Sequence, residues 1–381
     1  MHVLHVMEAT IGGTRRHLVD VARGQREAGH RVTLVVSTLR DPGFTADLEM
    51  LEGLGVEVIR VPMVRAIRPA RDLLHLRRIK AALKEARPDV VHTHSSKAGV
   101  LGRRASLSTG VGARVHTPHT FAFLFDALFS STKRALFRSI ERGLARSTHR
   151  VVAVSASEAE RMSVSGVVDP GIVRVVPNGI DPARVAGAAP LDLEEVGLDP
   201  ELACAAVVGL VYDAKGQDLA VEALARPELA GLQLLCVGPG DATSLKARAE
   251  ARGVARGGAF RGARDDVPRV LAAADFLLLP SRWEAMPYVV LEAMAASRAV
   301  VATPVDGARD LVEDERTGFL ARSSSVDAVG DAMERALLAG AGRRGDLGRA
   351  GRAPLDASFS VESMVAGLDA VYGEALEAAA R

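Results

Sequence analysis

The chain has 381 residues, is 48% hydrophobic and 25% charged, and carries a formal net charge of +1. At roughly 150 residues per domain that length favours two domains, and the composition is that of a globular chain with ample material for buried cores. Two cysteines, Cys204 and Cys236, exclude a disulfide framework and suit a reducing, cytoplasmic setting. No segment approaches the roughly 18 to 20 uninterrupted apolar residues of a membrane span.

The small net charge hides an asymmetry. Residues 1–165 carry 26 Lys and Arg against 15 Asp and Glu, whereas residues 166–381 carry 22 against 32. The basic half is expected to face something anionic, such as lipid headgroups or a phosphorylated acceptor. Nucleic acid is disfavoured, because the basic residues are not interleaved with a base-stacking platform.

The chain opens on "HVLHVM", a first strand in which no basic leader precedes an apolar core, so it does not read as a signal peptide. "RVTLVVS", "VEVIRVP", "DVVHTH", "ARVHTP", "RVVAVS" and "IVRVVP" follow as short β-branched runs. Between them lie segments of helical period such as "RDLLHLRRIKAALKEA". After "PNGID" the alternation restarts with "CAAVVGLV", "LQLLCVG", "GAFRG", "ADFLLLP", "AVVATP" and "TGFLA". Two such series predict an α/β protein of two doubly wound, Rossmann-like domains. Their expected bounds are 1–177 and 178–359, with a last helix over 360–381 packing back on the first domain and Met364, Leu368, Val371 and Leu376 near one face. Ligands of such sheets bind beyond the carboxyl ends of the strands. The loops of interest are therefore 8–14, 92–98, 116–121, 209–216, 238–241, 280–287 and 304–307.

Gly12 and Gly13 stand between the first strand and the first helix, where glycine lets backbone approach a ligand and a helix N-terminus attracts phosphate. A tight turn needs the same residues, but the spacing is neither that of a nicotinamide fingerprint nor that of a P-loop. Lys215-Gly216 repeats the arrangement in the second half, and a lysine there neutralises a diphosphate as a point charge. His92, His94, Lys97, His116 and His119 gather at two neighbouring strand ends. Without an acidic or cysteine ligand beside them, a polar contact to a sugar is favoured over a zinc site.

Residues 121–150 hold five of the ten phenylalanines, and Arg134, Arg138 and Arg142 recur every four residues opposite Leu136, Ile140 and Leu144. Such a segment either lies on an anionic bilayer or is a core helix with an arginine-rich outer face. In "LLLPSRWEAMPYVVLEAMA", Glu284 falls in a loop and Glu292 in the helix begun at Pro287. Eight helical residues rise about 12 Å, too far for the roughly 5 to 9.5 Å of a hydrolytic carboxylate pair. Two separate tasks, with the amides of the helix start between them, suit a long ligand with hydroxyls at both ends and phosphate in the middle.

The GG loop, "HTPHTF", "VVPNGID", "VYDAKGQD", "AADFLLLPS", the two glutamates and "VVATPVDG" through "GFLA" together resemble retaining glycosyltransferases of family 4, and they do so along essentially the whole chain. The resemblance implies the GT-B fold, two Rossmann-like domains facing across a cleft. It implies transfer of a sugar from a UDP- or GDP-sugar to a glycan or lipid-linked acceptor in surface polysaccharide synthesis, with no metal or other cofactor. Of the residues, it implies that Glu292 binds the ribose, that Glu284 faces the donor sugar, and that Ala285, Met286 and Tyr288 line sugar and phosphate. Lys215 would meet the diphosphate, Gly12 and Gly13 would approach it, and His119 would sit beside the anomeric carbon. Arg261 is expected as a further donor contact, and Lys97, Arg134, Arg138 and Arg142 are expected on the acceptor or membrane side. One departure stands out. Gly209 occupies the place of an arginine that grips the diphosphate in the family, leaving Arg282, Arg261 and Arg15 as possible substitutes. A non-catalytic nucleotide-sugar-binding scaffold is the alternative reading.

Overall fold

The computed structural model describes residues 1–124, 128–254 and 257–381. The chain divides into two compact units, Met1–Gly179 together with Val361–Arg381, and Ile180–Ser360. The division falls two residues beyond the expected boundary, and the last helix belongs to the first unit.

The first unit runs β1 (His2–Met7), α1 (Gly12–Glu27), β2 (Arg31–Val36), α2 (Phe44–Gly53), β3 (Glu57–Arg60), α3 (Pro69–Ala86), β4 (Val90–His94), α4 (Ser96–Thr109), β5 (Ala113–Thr117), α5 (Ser131–Ala145), β6 (Arg150–Ala153), α6 (Ala156–Val164) and β7 (Val173–Val175). The strands form one parallel sheet in the order β3-β2-β1-β4-β5-β6-β7. All of β1 and β4 is buried, as a strand covered by helices on both faces must be. That explains why these segments read as continuous runs rather than alternating ones.

The second unit runs β8 (Ala203–Val208), α7 (Gln217–Leu224), β9 (Leu232–Val237), α8 (Thr243–Ala251), β10 (Gly258–Phe260), α9 (Val267–Ala273), β11 (Phe276–Leu279), α10 (Tyr288–Ala295), β12 (Ala299–Ala302), α11 (Ala308–Leu311), β13 (Gly318–Leu320), α12 (Val326–Leu338), α13 (Gly340–Arg352) and α14 (Leu355–Ser358). Its parallel sheet has the order β10-β9-β8-β11-β12-β13. One core fills it, from Ala205, Leu234 and Phe276 on the strands to Leu219, Met333 and Leu347 on the helices.

The closing helix, α15 (Val361–Ala380), buries Val361, Met364, Val365, Leu368, Val371, Tyr372 and Ala375, a stripe of helical period. They pack with Val3, Val90, Val115 and Val152 of the first sheet. Leu376, expected on this face, lies off the stripe at 36% exposure, and Ala375 takes the buried place. In each sheet the order reverses once, between β1 and β4 and between β8 and β11. Those are the points where doubly wound sheets leave room for a ligand at the carboxyl edge.

Candidate active site

At the reversal of the first sheet, β1 and β4 run side by side with His5 opposite His92 and Met7 opposite His94. The result is a buried histidine cluster. His5 Nδ1 is 3.0 Å from His94 Nε2, and His5 Nε2 is 2.8 Å from Gln25 Oε1. Gln25 Nε2 donates to the Tyr372 hydroxyl at 3.1 Å, which lies 2.8 Å from His92 Nδ1. His94 Nδ1 is 3.3 Å from His119 Nε2, and His17 Nδ1 is 2.9 Å from Oδ1 of Asn178. Burial drives these rings toward the neutral form, holding His5 and His17 down to about 4 and His92, His94 and His119 well below the usual histidine range.

His119 itself is half-buried. Its φ is 49° and that of Thr120 is 72°, two consecutive side-chain-bearing residues in the left-handed region, which costs about 1 to 3 kcal/mol each. The surrounding structure imposes it. Glu158 sits three residues past the N-cap Ser155, whose hydroxyl accepts from its amide at 3.1 Å. Its carboxylate then accepts from Thr120 N at 2.7 Å and Val154 N at 2.8 Å. Neither Glu158 nor His5 and His17 stands out in the sequence, because their partners lie far along the chain.

The remaining first-unit residues fall out as follows. Gly12 and Gly13 are the exposed first residues of α1, whose start has no side-chain cap and no acid in its first turn, an arrangement open to an anion. Lys97 is not free for an acceptor: it donates to Asp72 at 2.7 Å and to the Ala66 carbonyl at 2.9 Å, tying α4 to the segment around the start of α3. Arg15 is committed to Asp41, Asp47 and the Gly43 carbonyl. That removes it as a substitute for the missing arginine. At the end of β1, burial pushes the Glu8 carboxyl up while Arg40, Arg65 and Lys97 pull it back.

Of the two readings of α5, a core helix holds only at its C-terminal end. Glu141, Leu144 and Ala145 are buried, whereas Leu136 is 52% exposed. The helix is anchored near its C-terminal end by the buried ion pair of Arg103 with Glu141 at 2.6 Å, which leaves its first turns to solvent. Arg138 lies over the Phe123 ring, Arg142 reaches the Gly166 carbonyl, and both are exposed, while Arg134 is half-buried. Phe125 of the aromatic cluster lies outside the described residues.

At the reversal of the second sheet, the loops after β8 and β11 bring Lys215 and Glu284 together. Lys215 Nζ donates to Glu284 Oε1 at 2.6 Å, and Ser281 Oγ donates to the same oxygen at 2.7 Å. Burial acts to lower the lysine, but the Glu284 carboxylate more than offsets it and the ammonium is held above its ordinary value. The two residues that the sequence assigns to separate ligand groups are thus one ion pair. Gly216 makes this possible. A Cβ there would lie 2.0 Å from the Pro280 carbonyl oxygen, and its φ is 63°, so only glycine lets the Lys215 turn close on the end of β11.

The far side of the same loop is braced by Gly307. A Cβ at this position would lie 2.5 Å from both the Ala285 oxygen and Met286 Cα. Ala285 is half-buried and Met286 buried; Pro287 is the N-cap of α10 rather than its first residue; Tyr288 is buried at the helix start and Glu292 half-buried one turn on. No side chain caps α10 and its first turn holds no acid. Arg282 is held by Asp218 at 2.7 and 2.8 Å. Arg261, exposed after β10, donates to the Val196 carbonyl. At Gly209 the Lys215 methylenes pass at van der Waals distance, 3.5 Å from an ideal Cβ.

This architecture is shared widely. The model for "Glycosyltransferase Family 4" matches residues 11–184 and that for "Glycosyl transferases group 1" matches 203–338. An Escherichia coli protein named UDP-Gal:alpha-D-GlcNAc-diphosphoundecaprenol alpha-1,3-galactosyltransferase is 31% identical over 286 residues, 72% of each chain. A D-inositol 3-phosphate glycosyltransferase from Salinispora arenicola is 30% identical over 328 residues, 79% of this chain and 72% of that one. Among solved structures, Anabaena HepE in complex with UDP and glucose superimposes with a TM-score of 0.81 at 22% identity, covering 98% of this chain and 99% of the other. Two parallel-sheet units of this order are the GT-B fold, and the chain belongs to glycosyltransferase family 4.

Proposed function

We propose that this glycosyltransferase moves a hexose, with retention at the anomeric carbon, from a nucleoside-diphosphate sugar to a glycan acceptor carried on a membrane lipid, without a metal in the transfer step. The observation that carries the proposal is the Lys215–Glu284 pair beside the uncapped start of α10, at the reversal of the second sheet. An ammonium and a helix N-terminus side by side suit a leaving diphosphate. In this reading Glu292 holds the ribose, and the loop from Glu284 to Tyr288 holds the sugar and phosphates. The same reading assigns His119 to the reacting sugar and the Gly12-Gly13 turn to the phosphate. The E. coli relative, named for a UDP-sugar donor and a diphosphoundecaprenol-linked acceptor, supports a UDP-sugar and a polyprenyl carrier. The exposed Leu136 of α5, with the exposed Arg138 and Arg142 on the opposite side of the helix, suits an amphipathic contact with an anionic bilayer at the inner face of the cell membrane.

The test is a thermal-shift panel of UDP-, GDP-, ADP- and dTDP-sugars on the wild type and on Glu292→Ala. One nucleotide class should raise the melting temperature in proportion to RT ln(1 + [L]/Kd), and Glu292→Ala should require roughly tenfold more of it. Indifference to every sugar nucleotide at millimolar concentration would overturn the reading. The scaffold alternative draws on Gly209 and on the engagement of Arg15, Arg261 and Arg282 by other groups. It predicts the same shift with neither transfer nor slow donor hydrolysis.

A further inference from the structure

Among the described residues, two trios of histidines each bring one ring nitrogen per residue within 4.8 Å of the other two: His5, His92 and His94, and His17, His94 and His119. Accounting for the nitrogens separates them. His5 and His92 spend both of theirs, on His94 and Gln25 and on Tyr372 and Thr117 respectively. That trio is a closed hydrogen-bond network with nothing left for a ligand.

The second trio is different. Asn178 Oδ1 can only accept, so His17 carries its proton on Nδ1 and a lone pair on Nε2. That Nε2 is buried and has no hydrogen-bond partner, and an orphaned acceptor in the interior calls for a reason. For His94 the protons follow from Gln25. Its amide nitrogen donates to Tyr372, which leaves its oxygen to accept from His5 Nε2–H. His5 Nδ1 therefore accepts from His94 Nε2–H, and the His94 lone pair stands on Nδ1. Both rings thus have their outer N–H donated to a fixed partner and their lone pair turned inward, the outer-sphere arrangement that orients metal-ligating histidines. The third nitrogen, His119 Nε2, is 3.3 Å from His94 Nδ1. Two nitrogens bound tetrahedrally at about 2.0 to 2.1 Å are roughly 3.3 to 3.4 Å apart.

We infer that His17, His94 and His119 form a three-nitrogen site for a borderline divalent cation, Zn2+ or its spectroscopic surrogate Co2+, with the fourth position open. His94 and His17 need no change of tautomer to bind it. His119 does: its proton passes from Nε2 to the Nδ1 on the other side of the ring, with no net proton released. If the sugar contact proposed above for His119 is right, cation and donor sugar exclude each other there, so the cation inhibits transfer rather than assisting it. Only that consequence rests on the proposed function.

The test is binding in the absence of any sugar nucleotide. The full chain, stripped with EDTA and desalted, is titrated with Co2+ and followed by visible d–d absorption, then back-titrated with Zn2+. One equivalent of Co2+ should bind with the intense absorption of a low-coordinate nitrogen site, and Zn2+ should displace it. His17→Gln and His119→Gln should each weaken binding by about 100-fold, at least the loss seen when only an outer-sphere partner is removed. His119 is half-buried, so its variant decides the matter should His17→Gln fail to fold. No stoichiometric Co2+ spectrum, or binding unaffected by the His119 change, would show the trio to be a neutral hydrogen-bond cluster and sink the inference.

Discussion

Lys215 and Glu284 form one ion pair at the reversal of the second sheet. Their side chains are only 22% and 11% exposed, so each needs the other's charge. Removing one partner of such a pair leaves an uncompensated charge, and that costs more than the pair contributes. Lys215→Met should therefore destabilise the second unit by about 3 kcal/mol, the low end for a buried pair because both side chains keep some exposure. Adding Glu284→Gln should recover part of that loss, with a coupling of about 1 to 3 kcal/mol in a double-mutant cycle of denaturant unfolding. Strict additivity would mean that the two do not act as a unit. The same geometry bears on Gly209. With Lys215 in contact with it and Arg15, Arg261 and Arg282 engaged by other groups, the proposed function puts diphosphate stabilisation on the lysine. Lys215→Ala should then lower turnover by about 100-fold, the loss typical of one transition-state donor. Glu292→Ala should act chiefly on donor KM.

The unfavourable backbone of His119 and Thr120, just after β5, is braced from the start of α6. Glu158 is positioned by the Ser155 cap, and both of its carboxylate oxygens accept amides from outside the helix. Glu158→Gln keeps the shape but turns one acceptor into a donor facing an N–H, a change worth about 1 to 3 kcal/mol. Faster hydrogen exchange at Thr120 and Val154, with the α6 amides unchanged, is the expected outcome. Equal protection in the variant would mean that something else holds His119 at its positive φ. This brace was not legible in the sequence, whereas the strands around it were, and the difference is one of range. Among the described residues the strands of the first sheet announce themselves in β-branched runs, and those of the second in short apolar runs such as "FLLL" and "AVVA", and the loops behind them follow from that. Glu158 meets Thr120 across 38 positions and His17 meets Asn178 across 161, contacts that no local period encodes. The Lys-Gly at 215–216 was visible as a phosphate-type turn, but the Pro280 carbonyl that demands its glycine belongs to another strand. For α5, the arginine spacing is plain in the sequence, whereas the buried pair of Glu141 with Arg103, 38 positions away, is not.

The two units differ most in what they titrate. All ten histidines lie between residues 2 and 149, and the stretch from 180 to 360 contains none. In the first unit burial lowers His2, His75, His116 and His149, His116 well below the usual range with the Arg103 charge adding to the effect. A histidine whose folded pKa lies below its unfolded value contributes stability that is complete above about 6.5 and is lost as pH falls toward the folded pKa, because the unfolded chain takes up the proton first. The other buried histidines act in the same direction. The second unit has no histidine, and its lowered aspartates, Asp218, Asp241, Asp266 and Asp331, matter only below the ordinary carboxylate range. Between pH 7 and pH 5, in EDTA-containing buffer so that no bound cation masks the effect, unfolding of the first unit should move to markedly lower temperature while that of the second barely shifts. Hydrogen exchange resolved by peptide distinguishes the two: β1, β4 and β5 should lose protection on acidification before β8, β11 and β12. Parallel loss in both sheets would mean that the buried histidines are not what limits the stability of this chain in acid.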